Sequence, residues 1–218
     1  MIKKLQALKA KKGFTLVELI VVIAIIGVLA AILVPTMMGY VTSSQVTSLN
    51  STSASIKNNI DTFLTDADTD GYGMYKGTAN TFEMSIEITS GEWVITNTIS
   101  KDAAKTGGPL KWTGSGKGKA GGKKTDAKTA EDLLAITLAD LFPTINTGYV
   151  WAYCQGGKCM YVAYCADGST KPTGCPALKD FQAGKFSWND STAGITSGGA
   201  TVGTAPELAL GGAAASTT

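Results

Sequence analysis

Glu18 is the only charged residue between Phe14 and Val34, in a run of 21 residues that is otherwise almost entirely apolar. A carboxylate at membrane depth is costly and normally has a cationic partner, yet this run contains no lysine. Cleavage after Gly13 would create an amine on Phe14, one helical turn from Glu18. That amine, from the same or a neighbouring chain, could neutralise the carboxylate. The alternative is that Glu18 lies at headgroup depth, where its charge reaches water.

Four cysteines form a second group that could do chemistry, and all of them lie after residue 150: Cys154, Cys159, Cys165 and Cys175. An even number of cysteines in an exported segment predicts two disulfides. Three pairings are possible, and facing positions in a predicted hairpin favour Cys154 with Cys159, leaving Cys165 with Cys175. A zinc site made of all four is the alternative, although their spacing is not that of a zinc ribbon or knuckle.

Three aspartates occupy the first, third and fifth places of a calcium loop, with glycine at the sixth. An EF-hand also needs a glutamate at the twelfth place, where Gly77 stands instead, so a full EF-hand is not supported. The candidate calcium ligands are Asp66, Asp68, Asp70 and the Tyr72 carbonyl. The alternative is a solvated acidic helix end, whose like charges would need a cation to offset the helix dipole.

The composition excludes several classes of enzyme. The chain has no histidine and no arginine, and 19 lysines face 17 acidic residues for a net charge of +2. Triads with histidine, histidine-containing zinc sites and arginine clamps on phosphate are therefore absent. The remaining polar groups have no recognisable catalytic spacing, so we expect a protein that is not an enzyme and requires no cofactor, with calcium as the one candidate.

A lysine-rich stretch at residues 101–128 carries eight lysines among glycine, threonine, alanine and serine. No glycine-lysine pair in it has P-loop spacing, which excludes that kind of nucleotide site. The composition predicts an exposed, solvated loop. Contact with nucleic acid or an anionic surface glycan is the functional alternative, with Trp112 as one stacking platform.

The first 34 residues have the layout of a membrane-targeting segment. Residues 1–12 hold five lysines and no acidic residue, and residues 14–34 would form a helix about 30 Å long, enough to span a bilayer core. The lysines keep the N-terminus on the cytoplasmic side.

These residues match a known family. The sequence Lys11-Lys12-Gly13-Phe14-Thr15-Leu16-Val17-Glu18-Leu19, followed by an apolar helix, resembles the class III signal of type IV prepilins and the related pseudopilins. The resemblance extends to about residue 65. It implies removal of a leader, residues 1–13, by a prepilin peptidase, N-methylation of Phe14, an assembly role for Glu18 and a helix kink at Pro35.

The resemblance also implies a function, that of the major pilin of a type IV pilus serving adhesion, surface motility or DNA uptake. Pseudopilins of type II secretion or competence systems and tip adhesins are the alternatives. The implied partners are other copies of the chain, the peptidase, and an assembly platform with a cytoplasmic ATPase. The precursor would lie in the cytoplasmic membrane and the mature subunit in a filament on the cell surface.

The rest of the chain predicts an α+β fold. Apolar positions from Val41 to Ala67 form one stripe, so residues 14–70 are expected to form a long helix, transmembrane over 14–34, that packs on a mainly antiparallel sheet. Two helices joined by a serine-rich linker at residues 43–55 are the alternative. A globular head would occupy residues 71–186, and residues 187–218 form a low-complexity tail.

Within the head, alternating residues predict a first hairpin over residues 82–99 and a second over residues 148–165. Between them, Thr129 is expected to cap a short helix that ends before Pro143. In the simplest register of the second hairpin, Tyr149, Trp151 and Tyr153 share a core-facing side with Met160, Val162 and Tyr164. An exposed, sugar-binding aromatic row is the alternative.

Overall fold

A computed structural model describes residues 14–77, 80–99, 104–105, 107–167 and 201–206. The chain divides between residues 44 and 45 into two compact units, and one helix, α1 (Leu16–Thr69), contributes to both. Pro35 lies inside this helix and does not end it. The prediction of one long helix is therefore confirmed, and the alternative of two helices around a serine-rich linker is wrong.

The first unit exposes its apolar side chains. Between Leu16 and Val34 the large aliphatic residues are each about half exposed or more. Within the described residues, Leu16–Pro35 is the one helical segment long and apolar enough to cross a bilayer. A soluble monomer rarely presents an apolar surface of this extent, so the segment requires cover from lipid or protein.

In the second unit, the outer half of α1 packs its apolar stripe into the core. The buried stripe residues recur at helical spacing: Ile56, Ile60, Phe63, Leu64 and Ala67. Leu49 is partly buried at the start of this stripe, whereas Val41, in the first unit, is exposed. The helix ends in a Schellman motif, in which the N–H groups of Gly71 and Tyr72 donate to the carbonyls of Asp68 and Ala67.

The head is an antiparallel sheet of six strands with a second helix, which confirms the predicted α+β class. The elements, in chain order, are β1 (Thr81–Thr89), β2 (Glu92–Asn97), β3 (Ser115–Lys119), a short 3-10 helix (Lys124–Asp126), α2 (Ala130–Leu141), β4 (Thr147–Gln155), β5 (Lys158–Cys165) and β6 (Val202–Ala205). Their spatial order is β3-β2-β1-β4-β5-β6, and every neighbouring pair is antiparallel. The core lies between α1, α2 and one face of this sheet.

Both predicted hairpins and the predicted helix cap are present. β1 and β2 turn at Ser90-Gly91, and β4 and β5 turn at Gly156-Gly157, where both residues have positive φ. Thr129 caps α2 by accepting a hydrogen bond from the N–H of Asp132, while the Asp132 side chain accepts from the N–H of Thr129. This reciprocal pair is a capping box.

The prediction of which side chains in the second hairpin face the core is wrong beyond the hairpin tip. Cys154 lies opposite Cys159 as expected, but Tyr153 lies opposite Tyr161, so Met160 is an extra residue in a β-bulge. One inserted residue shifts the register and exchanges the faces of the strand. As a result Val150, Ala152, Val162 and Tyr164 enter the core. The row of Tyr149, Trp151 and Tyr153 therefore lies on the opposite face, with Tyr161 and Ala163, and not with Met160, Val162 and Tyr164.

The lysine-rich stretch is not simply a loop, which corrects the prediction for residues 101–128. Residues 115–119 form the edge strand β3, paired with β2. A β-carbon on Gly118 would lie 2.4 Å from the backbone nitrogen of Ile136, so only glycine lets α2 approach this strand so closely. The ordering comes from this close packing and not from β propensity, which glycine and lysine lack.

The low-complexity tail, residues 187–218, contains an ordered strand: residues 202–205 form β6 and are buried. The Thr204 N–H donates to Asn50 Oδ1 of α1 at 2.8 Å. A β-carbon on Gly203 would lie 2.1 Å from the carbonyl carbon of Leu49, which makes glycine necessary at this contact. Short-range sequence patterns do not reveal a strand whose helix contact, Asn50, lies 154 residues away and whose paired strand, β5, lies about 40 residues away.

Candidate functional site

The carboxylate of Glu18 closes the first turn of α1. Its Oε2 accepts hydrogen bonds from the Thr15 N–H at 2.8 Å and from the Thr15 hydroxyl at 2.7 Å. The Glu18 N–H donates to Thr15 Oγ1 at 3.2 Å, which completes a capping box. The spacing of threonine and glutamate, Thr15-Leu16-Val17-Glu18, carries this signal in the sequence, but sequence analysis did not use it.

The predicted processing junction lies at the start of the described chain. Phe14 is 83% exposed and immediately precedes Thr15, the residue that caps α1. Gly13 and the leader, residues 1–13, lie outside the described residues. Glu18 is thus held at the helix start, close to the position at which cleavage would leave an amine.

The structure describes both members of only one of the two predicted cysteine pairs. Cys154 and Cys159 are directly opposite each other in the β4–β5 hairpin, and both are buried thiols. The Cys159 N–H donates to Asp61 Oδ1 of α1 at 3.0 Å, which ties the hairpin tip to the helix. Cys165 is also a buried thiol, and Cys175 lies outside the described residues. Both pairings therefore stay predictions.

The environment of the first pair bears on when it could oxidise. The pKa of the Cys154 thiol is raised well above its ordinary value. Burial is the largest cause, and a hydrogen bond with Cys159 is the second. Because the thiolate is the species that attacks in disulfide exchange, oxidation should precede the packing of this hairpin on α1.

We predict that a Cys154–Cys159 disulfide forms in the exported protein and that its loss lowers the free energy of unfolding by about 2 to 4 kcal/mol. Peptide mapping without reductant should recover the cross-linked pair, and Cys154→Ser should make Cys159 open to alkylation in the unfolded chain. Cys165→Ser is the matched control, and it should leave the 154–159 cross-link intact. Free thiols at both positions in exported protein, or bound zinc, would contradict the pairing.

The three aspartates among the candidate calcium ligands do not converge on a common point. Within the described residues no group of three or more acidic, cysteine or histidine side chains could hold a metal ion. Instead, Asp68 forms an ion pair with Lys105, and Lys105 also donates its backbone N–H to the Gly73 carbonyl at 2.8 Å. The cation required at this acidic helix end is therefore a lysine, 37 residues away in sequence, which no local pattern indicated.

Calcium binding by Asp66, Asp68, Asp70 and Tyr72 stays a prediction, and it would require Lys105 to leave Asp68. If calcium binds, the melting temperature of the detergent-solubilised protein should rise by several degrees in millimolar calcium relative to chelator, because the ligand would bind only the folded state. Lys105→Gln should enlarge that rise, and Asp68→Ala should abolish it. Equal melting temperatures with and without calcium in the unmutated protein would exclude the site.

The aromatic row on the outer sheet face is not an exposed ligand platform. Trp151 is 1% exposed and stacks on Tyr153, with ring centroids 6.5 Å apart. Tyr153 in turn contacts Tyr161, with centroids at 6.2 Å. These buried rings contribute to packing of the sheet, and sugar binding by the row is not supported.

The acidic residues of α2 hold the backbone of the lysine-rich stretch. Glu131 is fully buried, and its Oε1 accepts hydrogen bonds from the Asn97 side chain at 2.8 Å and from the N–H groups of Thr113 and Gly114 at 2.8 and 2.7 Å. No local sequence pattern indicates these contacts of Glu131.

Asp132 binds the same stretch. Its carboxylate accepts from the N–H groups of Lys117, Lys128 and Thr129. Burial acts to raise the pKa of Asp132, but these hydrogen bonds, with that of the Thr129 hydroxyl, outweigh burial and hold the pKa below its ordinary value. Its contribution to stability is therefore present above the pKa of the unfolded chain and is lost as the pH falls through the lower, folded value.

Part of the chain is similar to known proteins. The family described as the prokaryotic N-terminal methylation motif matches residues 8–34. The chain is 39% identical over 85 residues to the type IV major alpha-pilin of Moraxella bovis, an alignment that covers 39% of this chain and 52% of that protein. It is 46% identical over 56 residues to the type IV major fimbrial protein FimA of Dichelobacter nodosus, covering 26% of this chain and 36% of that protein.

A third relative is fimbrial protein Q of Moraxella bovis, 41% identical over 83 residues, or 38% of this chain and 51% of that protein. The chain thus spans about a third to a half of the length of these relatives. No solved structure matches it. The methylation motif, the exposed apolar helix that contains Glu18 and the similarity to these proteins support a type IV pilin.

Proposed function

We propose that this chain is the structural subunit, or major pilin, of a type IV pilus filament. The observation that carries the proposal is the exposed apolar segment Leu16–Pro35 at the start of α1. Lipid covers such a segment before assembly, and the same segments of neighbouring subunits cover it in a filament. The filament would serve adhesion, surface motility or DNA uptake.

Two further observations favour a major pilin over the alternatives. The similar proteins are named major pilins and fimbrial proteins, names of filament components rather than of enzymes or pseudopilins. The aromatic row suggested as the sugar-binding surface of a tip adhesin is buried. We therefore propose a structural rather than catalytic role.

The proposed assembly needs machinery that other proteins supply. A prepilin peptidase would cleave between Gly13 and Phe14 and Phe14 would be N-methylated. An assembly platform with a cytoplasmic ATPase would then extract subunits from the cytoplasmic membrane into a surface filament. Pro35, inside α1, would be the point at which the helix bends during this transfer.

Processing tests the proposal directly. Mass spectrometry of filaments sheared from cells should find a chain that begins at N-methylated Phe14. Loss of the leader leaves 14 lysines against 17 acidic residues, so the subunit should be mildly acidic, at −3 before the new amine is counted. Filaments built from chains that retain residues 1–13, or cells that make this protein but no filaments containing it, would contradict the proposal.

A further inference from the structure

The head has a cavity at the C-terminal end of α2, with a volume of about 190 Å³. Its walls come from the last turn of α2, the turn between β1 and β2, and the turn that follows β3. A cavity of about 150 Å³ holds a benzene ring, so this α2 cavity has room for one aromatic side chain. The apolar residues of its walls are Trp93, Ala120, Ala139, Phe142, Pro143 and Ile145.

The α2 cavity has an aromatic floor and a mouth that faces water. Trp93 is 1% exposed, and Phe142 stacks on it with ring centroids 6.1 Å apart. Ala120 and Pro143 are the exposed apolar residues at the mouth. An apolar ring that entered the cavity would exchange contact with water for contact with these residues, which is favourable.

Tyr75 is an aromatic side chain that the head leaves uncovered. It is 51% exposed, and among the described residues after residue 44 no other aromatic side chain is more than half exposed. The Tyr75 carbonyl accepts a hydrogen bond from Asn80 Nδ2 at 2.8 Å, and the preceding residue, Met74, pairs with Ala104 in an isolated β-bridge. The ring therefore projects from an ordered backbone.

Tyr75 and the α2 cavity lie at opposite ends of β1. At one end, the Gly156 N–H donates to the carbonyl of Asn80, the residue that holds Tyr75. At the other end, the Gly91 N–H donates to the carbonyl of Asn146, and both residues line the cavity. The nine residues of β1 span about 30 Å at about 3.4 Å each, so the ring cannot reach the cavity of its own subunit.

This arrangement has the geometry that a filament of identical subunits needs. A contact between two different surfaces of the same molecule can repeat from one subunit to the next without closing, whereas a twofold contact ends at the dimer. An aromatic side chain at one end of the head and a cavity at the other are two such surfaces.

The charges beside these two surfaces are complementary. The last turn of α2 contains no basic residue, so its carbonyl groups present the negative end of the helix dipole beside the cavity. Asp140 adds a carboxylate there, which accepts a hydrogen bond from the Gly121 N–H at 2.7 Å. The residue after Tyr75 is Lys76, which is exposed and could lie against this negative end.

The basic residue that lines the cavity does not oppose such a contact. Lys119 is the last residue of β3, and Gly118 before it faces α2. Because side chains alternate along a strand, the Lys119 side chain points to the other face of the sheet. Glu92 of β2 lies opposite Lys119 in the register of the two strands.

We propose that Tyr75 of one subunit inserts into the α2 cavity of the next, with Lys76 beside Asp140, and that this contact joins the heads along the filament. The proposal rests on the proposed function, because it names a contact by which copies of the chain meet. One inserted ring buries far less surface than a complete interface does. The contact therefore supplements association through the apolar segment of α1 and does not replace it.

Substitutions on both surfaces test the contact. Tyr75→Ala should lower the amount of subunit in sheared filaments, relative to the membrane fraction, about tenfold, whereas Tyr75→Phe keeps the ring and should stay within about twofold of the wild type. Ala120→Trp, at an exposed position, should obstruct the cavity and lower the yield as Tyr75→Ala does. The matched control, Val94→Ala, removes exposed apolar atoms from the middle of β2 and should change the yield less than about twofold.

Cysteines in place of the proposed charge pair test the direction of the contact and leave both Tyr75 and the cavity intact. Oxidised filaments of Lys76→Cys with Asp140→Cys should give a ladder of dimers, trimers and longer products on a non-reducing gel. Each single variant should give no ladder, because the two positions lie on different surfaces of the head.

Wild-type yields for both Tyr75→Ala and Ala120→Trp, or double-cysteine filaments without a ladder, would overturn the proposal. A product that stops at the dimer would indicate a twofold contact and would also overturn it. Circular dichroism melting of the detergent-solubilised variants excludes unfolding as the cause of a low yield. In each of these cases the filaments still support the proposed function, whereas absence of the unmutated protein from filaments would overturn that function and this contact with it.

Discussion

Subunits with Glu18→Gln should insert into the membrane at wild-type levels and be absent from filaments. Glutamine retains a carbonyl oxygen that can accept the hydrogen bonds from Thr15, so the capping box of α1 survives, but the negative charge is lost. If Glu18 pairs with the Phe14 amine of the same or a neighbouring subunit, that loss removes the pairing and leaves an amine in apolar surroundings. Comparison of immunoblots of the membrane fraction and of sheared filaments measures the two levels.

Thr15→Val is the matched control because it removes the capping hydroxyl and keeps the charge of Glu18. We expect this variant to assemble, with at most a small reduction in yield. If Thr15→Val fails to assemble while Glu18→Gln assembles normally, the carboxylate acts as a helix cap and not as a charge partner. Incorporation of Glu18→Gln at the wild-type level would by itself exclude the pairing account.

Replacing Glu131 with alanine should lower the free energy of unfolding of the head by about 3 to 5 kcal/mol. The change removes the acceptor of three hydrogen-bond donors, the Asn97 side chain and the N–H groups of Thr113 and Gly114, at a partly buried site. It also leaves a cavity in place of a fully buried side chain. Denaturant unfolding of the detergent-solubilised protein, followed by near-ultraviolet circular dichroism, measures the loss.

Two variants separate this effect from a simple loss of charge. Glu92→Ala removes an exposed partner of Lys117 and should cost at most about 1 kcal/mol. Glu131→Gln retains the oxygen that accepts the three bonds, and its amide nitrogen would replace Oε2, which is buried and has no hydrogen-bond partner in the described part of the chain. We expect Glu131→Gln to lower the free energy of unfolding by less than Glu131→Ala and by more than Glu92→Ala. Equal stability of Glu131→Ala and the wild type would show that these hydrogen bonds are dispensable.

The features that could be predicted from the sequence are those whose causes lie within a few turns or one hairpin. The buried stripe of α1 follows from apolar residues at helical spacing, and the tip of the second hairpin follows from Gly156-Gly157 between two β-prone runs. The facing of Cys154 and Cys159 follows from the same turn. Each of these is a local pattern with one favoured geometry.

The features that escaped prediction depend on contacts between distant segments. β3 and β6 contain glycines, which do not favour strands. Each strand is ordered by contact with a helix, α2 for β3 and α1 for β6, whose backbone occupies the space that a side chain at the glycine would need. The sequence also gives no signal for the bulge at Met160, which places the aromatic row of β4 on the sheet face opposite to the predicted one. For the candidate sites, the hydrogen bonds of Glu131 and the pairing of Lys105 with Asp68 required knowledge of the tertiary structure.

The position of β3 at the edge of the sheet has a consequence for how these subunits behave when crowded. An unpaired edge can recruit the edge of another sheet and begin an aggregate. On β3, a second copy aligned edge to edge would bring its own Lys117 and Lys119 close to the same residues of the first, and the repulsion between them opposes strand pairing. The strand thus resists the amyloid-like growth that crowding of identical chains would otherwise promote.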